Sequence, residues 1–228
     1  MRVHQSRALM KRPRESGRAL HRRRMWQPRD PMTPDRSDPW FEALYAGAGE
    51  DFEQIPWANL APRPALVEWL DHFPPAPATK TLVIACGLGD DAEELARRGC
   101  DVDAFDLSST AIATARRRFP DSTVRYRVAD LFELPAEWRR RFEIVVEVQT
   151  IMSLPPEWHE TAIAAVADTV AAGGHLWVRT AMRGEDELAN TRPWPLTPSE
   201  LRAFEEHGLE ELSRCRDGIF AHIDYRKG

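Results

Sequence analysis

From residue 81 onward, short apolar and β-branched runs alternate with longer segments whose apolar residues follow a helical spacing. The strand candidates are 81–86, 101–106, 123–128, 143–149 and 174–181. The helix candidates are 90–98, 108–118, 157–171 and 198–207, with a further short one at 65–73. Strands that alternate with helices of about 10–15 residues are typical of a parallel sheet covered by helices on both faces. The chain is therefore predicted to form a doubly wound α/β fold.

The end of the chain follows a different pattern. Residues 209–217 and 218–225 are two strand-like runs that meet at Asp217-Gly218, and this dipeptide is typical of a tight hairpin turn. Together with the earlier candidates, the hairpin predicts a seven-stranded sheet that is mostly parallel and ends in an antiparallel pair.

The first part of the chain differs from the rest in charge. Residues 1–36 carry eleven Lys and Arg against three Asp and Glu, so the remaining residues carry twenty against thirty-three. We expect a basic, disordered extension at 1–36 and one folded domain at 37–228. Two other interpretations of the extension stay open: an arm that touches nucleic acid and a transit peptide.

Composition argues against several other classes of protein. The acidic folded part would repel nucleic acid, and the apolar runs are too short to cross a bilayer. Three cysteines without CxxC spacing, and no HExxH or EF-hand pattern, give no metal motif. We therefore expect a cytoplasmic protein with no bound metal, no membrane partner and no nucleic-acid partner.

A glycine-rich turn, Cys86-Gly87-Leu88-Gly89, joins the first strand candidate to the first helix. Glycine lacks a Cβ, so such a turn lets a ligand approach the backbone closely. Dinucleotide-binding turns have a third glycine, which is Ala92 here, and bind a pyrophosphate at the helix N-terminus. Asp90 and Asp91 follow the turn and would repel a pyrophosphate, whereas a cofactor with a cationic centre would tolerate them.

Two more acids stand at predicted strand ends. Asp106 ends the second strand, nineteen residues after Gly87, where a carboxylate can accept hydrogen bonds from ribose hydroxyls. Asp130 and Leu131 follow the third strand, where a carboxylate and an adjacent backbone N–H can meet an adenine ring. The order of these signals on consecutive strands predicts a nucleoside-containing cofactor.

The stretch 80–182 resembles a class I S-adenosylmethionine (SAM)-dependent methyltransferase, with its Rossmann-like fold. Region 40–119 is similar, more narrowly, to the thiopurine and thiol/halide methyltransferase group. The matching residues are Ile55-Pro56-Trp57, Pro64-Ala65-Leu66-Val67-Glu68, Cys86-Gly87-Leu88-Gly89-Asp90-Asp91-Ala92, Leu95-Ala96-Arg97-Arg98-Gly99, Val102-Asp103-Ala104-Phe105-Asp106-Leu107-Ser108 and Ala111-Ile112.

The resemblance implies SAM as the cofactor and assigns the residues that bind it. By the resemblance, Gly87 and Gly89 border the methionine part, Asp106 the ribose, and Asp130 with Leu131 the adenine. Cys86 and Leu107 adjoin these positions and are also predicted to contact the cofactor, as is Glu147. Most class I enzymes have an acid where this chain has Val83; the thiol/halide group tends to lack it. Which group holds the methionine amine therefore stays open.

Candidates for the reacting end of the site come from the fourth and fifth strands and from an aromatic segment before the first strand. Glu147 is expected to bind the SAM ammonium or to act on a substrate proton, and Glu147 and Trp57 are the catalytic candidates. The acceptor-binding candidates are Trp40, Tyr45, Trp57, Gln149 and Arg179. The alternative for the aromatic residues is that they pack the core of a covering helix.

These features predict methyl transfer to a small molecule, with a thiol or another soft nucleophile favoured, because a thiol ionises near pH 8–9 and needs little help from a base. His159 is expected on a solvated helix start, and neither His175 nor His222 shows a partner pattern. Two alternatives stay open: a nucleic-acid or protein methyltransferase that uses the basic arm, and a non-catalytic SAM-binding protein.

Overall fold

The computed structural model describes residues 40–188, 190 and 192–228. The extension expected at 1–36 lies outside the described residues, and its disorder stays a prediction. The helices are α1 (Trp40–Ala48), α2 (Pro64–His72), α3 (Asp90–Arg97), α4 (Ser109–Arg118), α5 (His159–Thr169) and α6 (Pro198–Glu206). The strands are β1 (Lys80–Ile84), β2 (Asp101–Asp106), β3 (Arg125–Val128), β4 (Phe142–Val148), β5 (Val170–Ala181), β6 (Leu209–Asp217) and β7 (Phe220–Lys227).

The seven strands form one sheet in the order β3-β2-β1-β4-β5-β7-β6. The first five strands of this order run parallel, and β7 pairs antiparallel with both β5 and β6. This confirms the predicted doubly wound sheet with its terminal hairpin. The strand order reverses between β1 and β4, and the carboxyl ends of strands at such a reversal are where open α/β sheets bind ligands.

Each face of the sheet is covered by a different set of helices. Successive side chains of a strand point to opposite faces, so Val145 and Val146 of β4 enter different cores. Val146 packs with the buried side chains of α2, α3 and α4, such as Leu66 and Leu95. Val145 packs with those of α5 and α6, such as Phe204. The helices on both faces are therefore as predicted.

Strand β5 begins earlier than expected, at Val170 instead of residue 174, and its pairing with β4 shifts register between Phe142 and Ile144. Glycine explains the irregularity. A Cβ on Gly174 would lie 3.0 Å from the backbone oxygens of Phe142 and Glu143, so glycine favours this close approach of the two strands.

Helix α1 is fixed to the start of α4 by one carboxylate. Glu42 accepts hydrogen bonds from Ser108 Oγ at 2.6 Å, from the backbone N–H of Thr110 at 3.2 Å, and from the Thr110 hydroxyl. The hydroxyl bonds of Ser108 and Thr110 hold the pKa of Glu42 below its ordinary value. Ser108 is also the N-cap of α4, so these contacts hold α1 at the carboxyl edge of the sheet.

Among the described residues, no helix is long and apolar enough to span a membrane.

Candidate cofactor and acceptor site

The turn after β1 has a backbone conformation that favours glycine. Gly87 has φ of +54° and Gly89 has φ of +93°, both in the left-handed region. A Cβ on Gly87 would lie 2.9 Å from the hydroxyl oxygen of Tyr45, and one on Gly89 would clash with the hydroxyl of Tyr126. The turn therefore requires glycine at both positions, and Tyr45 lies directly above the first of them.

Asp106 is joined to this turn. Its two carboxylate oxygens accept hydrogen bonds from the backbone N–H groups of Gly87 and Ser108, each at 2.9 Å. The side chain is buried, and burial raises its pKa to about 6. Each carboxylate oxygen has a second lone pair, so Asp106 can still accept further hydrogen bonds from a ligand.

The two acids after the turn have partners of their own. Asp90 forms a bidentate ion pair with Arg118, with both distances 2.7 Å. Asp91 accepts the backbone N–H of Arg63 at 2.7 Å, and burial raises its pKa. Because Arg118 balances the charge of Asp90, the repulsion expected from two free carboxylates is weaker than the sequence suggests.

The predicted adenine side of the site lies at the neighbouring strand ends. Asp106 pairs with Val128 in the β2–β3 register, which brings Asp130 and Leu131 close to the end of β2. Asp130 accepts the backbone N–H of Phe132 at 2.8 Å and caps a short 3-10 helix. Leu131 is buried in the core, and Leu107 is 45% exposed at the edge.

Three aromatic side chains, Trp40, Tyr45 and Trp57, form a cluster beside the turn; this cluster is called the aromatic roof. Tyr45 is buried, and its hydroxyl oxygen accepts a hydrogen bond from the indole N–H of Trp57 at 2.8 Å. Burial and the nearby Asp106 raise the pKa of Tyr45 well above its ordinary value. The ring of Trp57 lies 5.5 Å from that of Trp40. Three of the predicted acceptor-binding residues thus come together in one cluster.

The segment between β5 and α6 also contributes Arg192 and Trp194 to this aromatic roof, which the sequence did not indicate. The guanidinium of Arg192 lies 4.4 Å from the ring centroid of Trp40 and 5.4 Å from that of Trp194. The backbone N–H of Trp194 donates to the carbonyl of Met152 at 2.6 Å. No local sequence signal links these residues, because they are distant along the chain.

Glu147, the catalytic and ammonium-binding candidate, is fully buried at the end of β4. Its Oε1 accepts the backbone N–H groups of Thr150 at 2.5 Å and Ile151 at 3.1 Å, which shapes the turn after the strand. Its Oε2 has no hydrogen-bond partner within the described part of the chain. Burial raises the pKa of Glu147 to about 7. This carboxyl group can therefore accept a ligand donor or exchange a proton near neutral pH.

Gln149 and Arg179 lie side by side at the ends of β4 and β5. The backbone N–H of Gln149 donates to the carbonyl of Arg179 at 2.8 Å. The Arg179 guanidinium packs on the ring of Phe220, 3.8 Å from its centroid. Burial and the nearby Arg63 lower the pKa of Arg179.

One prediction about the histidines is wrong, and another histidine has a partner that the sequence pattern did not indicate. His159 is buried instead of solvated, because Nδ1 lies 2.7 Å from Glu200 Oε1 and Nε2 lies 2.9 Å from the carbonyl oxygen of Leu154. His175 does have a partner, since its Nδ1 lies 2.9 Å from Asp224 Oδ1. Across residues 40–188, 190 and 192–228, no cluster of three or more acidic, His or Cys side chains is arranged to hold a metal ion.

Comparison with known proteins now adds to this geometry. Residues 82–174 match a family described as "Methyltransferase domain". These residues therefore form a methyltransferase domain. The match begins in β1, includes the glycine turn, and ends in β5.

The relatives and solved structures agree with this assignment. The ubiquinone biosynthesis O-methyltransferase of Azotobacter vinelandii is 30% identical over 122 residues, which are 53% of this chain and 52% of that protein. The 1,6-didemethyltoxoflavin-N1-methyltransferase of Burkholderia thailandensis, solved with its acceptor and S-adenosylhomocysteine, has the same fold. Its TM-score is 0.67 at 18% identity, over 88% of this chain and 93% of that one.

A third neighbour is a structure described as "Conversion of a Disulfide Bond into a Thioacetal Group during Echinomycin Biosynthesis". It aligns with a TM-score of 0.69 at 20% identity, over 83% of this chain and 91% of that one. The chain spans about half the length of the first curated relatives it matches. The narrower resemblance to the thiopurine and thiol/halide group therefore stays a prediction.

Proposed function

We propose that this chain transfers a methyl group from SAM to a small-molecule acceptor at the carboxyl ends of β1 and β4. The observation that carries the proposal is the hydrogen bond between Trp57 and Tyr45 directly above Gly87. Aromatic side chains this close to the turn would shield a methyl group held beside it from water. A site shielded in this way would admit a small-molecule acceptor more easily than a polymer.

The residues present fit SAM. At Gly87 the Tyr45 hydroxyl takes the place of a side chain, so the methionine part would lie along the backbone of the turn beside Tyr45. The spare lone pairs of Asp106 suit the ribose hydroxyls, and Asp130 with Leu131 lies where the adenine would sit. The unpartnered Oε2 of Glu147 supports a role for this side chain in binding the ammonium group, at a site where Val83 supplies no acid. Cys86, Gly89 and Leu107 complete this proposed cofactor set.

When bound, SAM would supply an electrophilic methyl group on a sulfonium centre for transfer to the acceptor. The chain's own task is to orient the acceptor and keep water out. The rings of Trp40 and Trp57 supply walls for this purpose, and aromatic faces favour a nearby cation. Gln149 and Arg179 border the same edge from β4 and β5.

Among small molecules we favour a thiol acceptor. A thiol ionises near pH 8–9, whereas a phenol ionises near pH 10 and depends more on a base. Glu147 is the candidate for such a base at the end of β4, and two backbone N–H groups already hold its Oε1. The sulfur chemistry in the description of the echinomycin neighbour supports a thiol, whereas the name of the Azotobacter relative supports an oxygen acceptor as the second candidate.

One experiment separates these acceptors. Purified protein is incubated with SAM and matched compounds that differ only in the nucleophile, namely thiophenol, phenol and aniline, with iodide added as a halide. Release of S-adenosylhomocysteine is the readout. Faster turnover of thiophenol supports the thiol proposal, whereas faster turnover of phenol would replace it by oxygen methylation.

The two broader alternatives have their own tests. Deletion of residues 1–31 should leave small-molecule turnover unchanged; a lost activity would support a role for the basic arm. Binding of S-adenosylhomocysteine without turnover of any acceptor would support a non-catalytic SAM-binding protein. The cytoplasmic location and the absence of a nucleic-acid partner stay predictions.

A further inference from the structure

A group of buried polar atoms lies between α2 and the β5–β7 pair, outside the predicted cofactor residues. Four enclosed atoms there have no hydrogen-bond partner within the described residues: Trp69 Nε1, Arg179 Nη1, His222 Nε2 and Asp224 Oδ2. Buried polar atoms are nearly always paired, because leaving one unpaired costs free energy. An unpaired group of four on one face of the sheet therefore suggests that something else supplies the partners.

The pairing of β5 with β7 brings these side chains together. Arg179 is directly opposite His222, and residues that pair in this way project to the same face of the sheet. The His222 ring is stacked on Trp177 with centroids 5.7 Å apart and an interplanar angle of 15°. Asp224 is opposite Trp177, which lies two residues before Arg179 in β5 and so further from the carboxyl end of the strand. Arg179 and His222 thus form the end of the group that is closer to the predicted acceptor site.

The deeper half of the group differs chemically from the outer half. Trp69 Nε1 is a donor and Asp224 Oδ2 is an acceptor, a combination that an ordered water can satisfy. Arg179 Nη1 is a donor, and His222 Nε2 is a donor in one neutral tautomer. Burial and the charge of Arg179 lower the pKa of His222, which favours the neutral ring. In that tautomer the outer half offers two donors, and no described residue accepts a hydrogen bond from either of them.

The outer half also has a fixed geometry. The Arg179 guanidinium is held against the ring of Phe220, and stacking on Trp177 holds His222. The planar fork of an arginine matches the two oxygens of a carboxylate. The carbonyl of Arg179 also accepts the backbone N–H of Gln149, which joins this pair to the rim of β4.

We propose that Arg179 and His222 bind a carboxylate group of the methyl acceptor, so that the substrate is a small carboxylic acid whose nucleophile reaches the cofactor. This proposal rests on the proposed function and narrows its substrate class. Arg179 and His222 are specificity-determining residues in this account, since they touch the acceptor away from the reacting atom. His222 was not among the residues that the sequence suggested for the site.

The methionine part of SAM also carries a carboxylate, so the experiment must separate the two sources. S-adenosylhomocysteine has this carboxylate, whereas 5′-methylthioadenosine lacks the whole amino-acid part. Calorimetry on the full chain gives the dissociation constant of 5′-methylthioadenosine divided by that of S-adenosylhomocysteine. We expect this ratio to be the same in wild type and in Arg179→Met. A ratio that falls tenfold or more in the variant would assign Arg179 to the cofactor and overturn the proposal.

The acceptor is tested on protein saturated with S-adenosylhomocysteine. Benzoate, phenylacetate and acetate are each titrated against the corresponding neutral amide. We expect at least one acid to bind about tenfold or more tightly than its amide, and Arg179→Met and His222→Phe each to remove that preference. Arg202→Met, on the exposed face of α6, is the matched control and should keep it. If no acid is preferred in wild type, the proposal is wrong.

Two conservative variants cover the case in which the first ones fail to fold. Arg179→Lys and His222→Gln retain polarity and serve if the first variants fail to fold, as judged by thermal unfolding. Arg179→Lys should keep part of the preference, because the charge stays and the planar fork is lost. Failure of wild type to bind S-adenosylhomocysteine would contradict the proposed function and this inference together. Normal binding of that cofactor product without acid preference contradicts only the inference.

Discussion

The hydroxyl of Tyr45 accepts the indole N–H of Trp57 at 2.8 Å and lies 2.9 Å from where a Cβ of Gly87 would be. This relationship joins the N-terminal aromatic segment to the glycine turn, two parts of the chain that are well separated in sequence. Tyr45 and Trp57 therefore contact the glycine turn that borders the predicted cofactor site.

Gly87→Ala should abolish binding of S-adenosylhomocysteine. The added methyl group meets the Tyr45 hydroxyl, and alanine is strained at φ of +54°. The matched control is Gly47→Ala in α1, where a Cβ meets no atom within 4 Å. Dissociation constants from calorimetry check the prediction, and equal affinity in the two variants would show that the turn does not border the cofactor.

The Trp57–Tyr45 hydrogen bond should affect turnover more than stability. Trp57→Phe and Tyr45→Phe keep an aromatic ring and remove the bond, so each should cost about 1 kcal/mol of folding free energy. Turnover should fall by about tenfold in each, and the double variant should be little worse than either single one, since both remove the same contact. Thermal unfolding and initial rates measure the two effects. Large stability losses with normal turnover would favour a packing role.

Glu147 should make stability depend on pH. Its pKa is about 7 in the folded protein and near 4.5 when unfolded, so the folded state holds a proton that the unfolded state has lost between these values. The free energy of unfolding must therefore fall as pH rises through this window. Glu147→Gln has no such proton. The free energy of unfolding of the variant minus that of wild type should therefore rise by up to about 3 kcal/mol between pH 4.5 and pH 8, as measured by denaturant unfolding. A constant difference across this range contradicts the account.

The same residue should link cofactor binding to proton release. If the ammonium group of S-adenosylhomocysteine pairs with Oε2, it favours the ionised carboxyl, and about half a proton should leave the protein at pH 7. Calorimetry in two buffers of different ionisation enthalpy measures this quantity. Glu147→Gln should release no proton and bind more weakly. Identical proton release in the variant would assign the ammonium group to another partner.

Much of the fold was predictable because its signals are local. The alternation of strands and helices, the Asp217-Gly218 turn and the glycines after β1 each depend on residues that are close in sequence, and the structure contains all three features. The strand-end positions of Asp106 and Asp130 follow from the parallel sheet itself, because the carboxyl ends of neighbouring strands meet at one edge.

What the sequence did not reveal depends on contacts between distant residues. Glu42 reaches Ser108 across sixty-six positions, and His175 reaches Asp224 across forty-nine. Neither partner has a spacing that signals the other. The polar neighbours of His159 predict a solvated position, yet Glu200 from α6 supplies the acceptor that allows its burial. Such pairs form only once the helices and the hairpin are packed.

The most direct test of the central claim is calorimetric titration of the full chain with S-adenosylhomocysteine, beside Asp106→Asn and the exposed control Asp121→Asn. Two backbone N–H groups face the Asp106 oxygens, so an amide there leaves one of them opposite a donor. We predict one site per wild-type chain, unchanged affinity in Asp121→Asn, and a loss of about 1–3 kcal/mol in Asp106→Asn. Absence of binding in wild type, or equal affinity in all three proteins, would contradict a SAM site at this edge of the sheet.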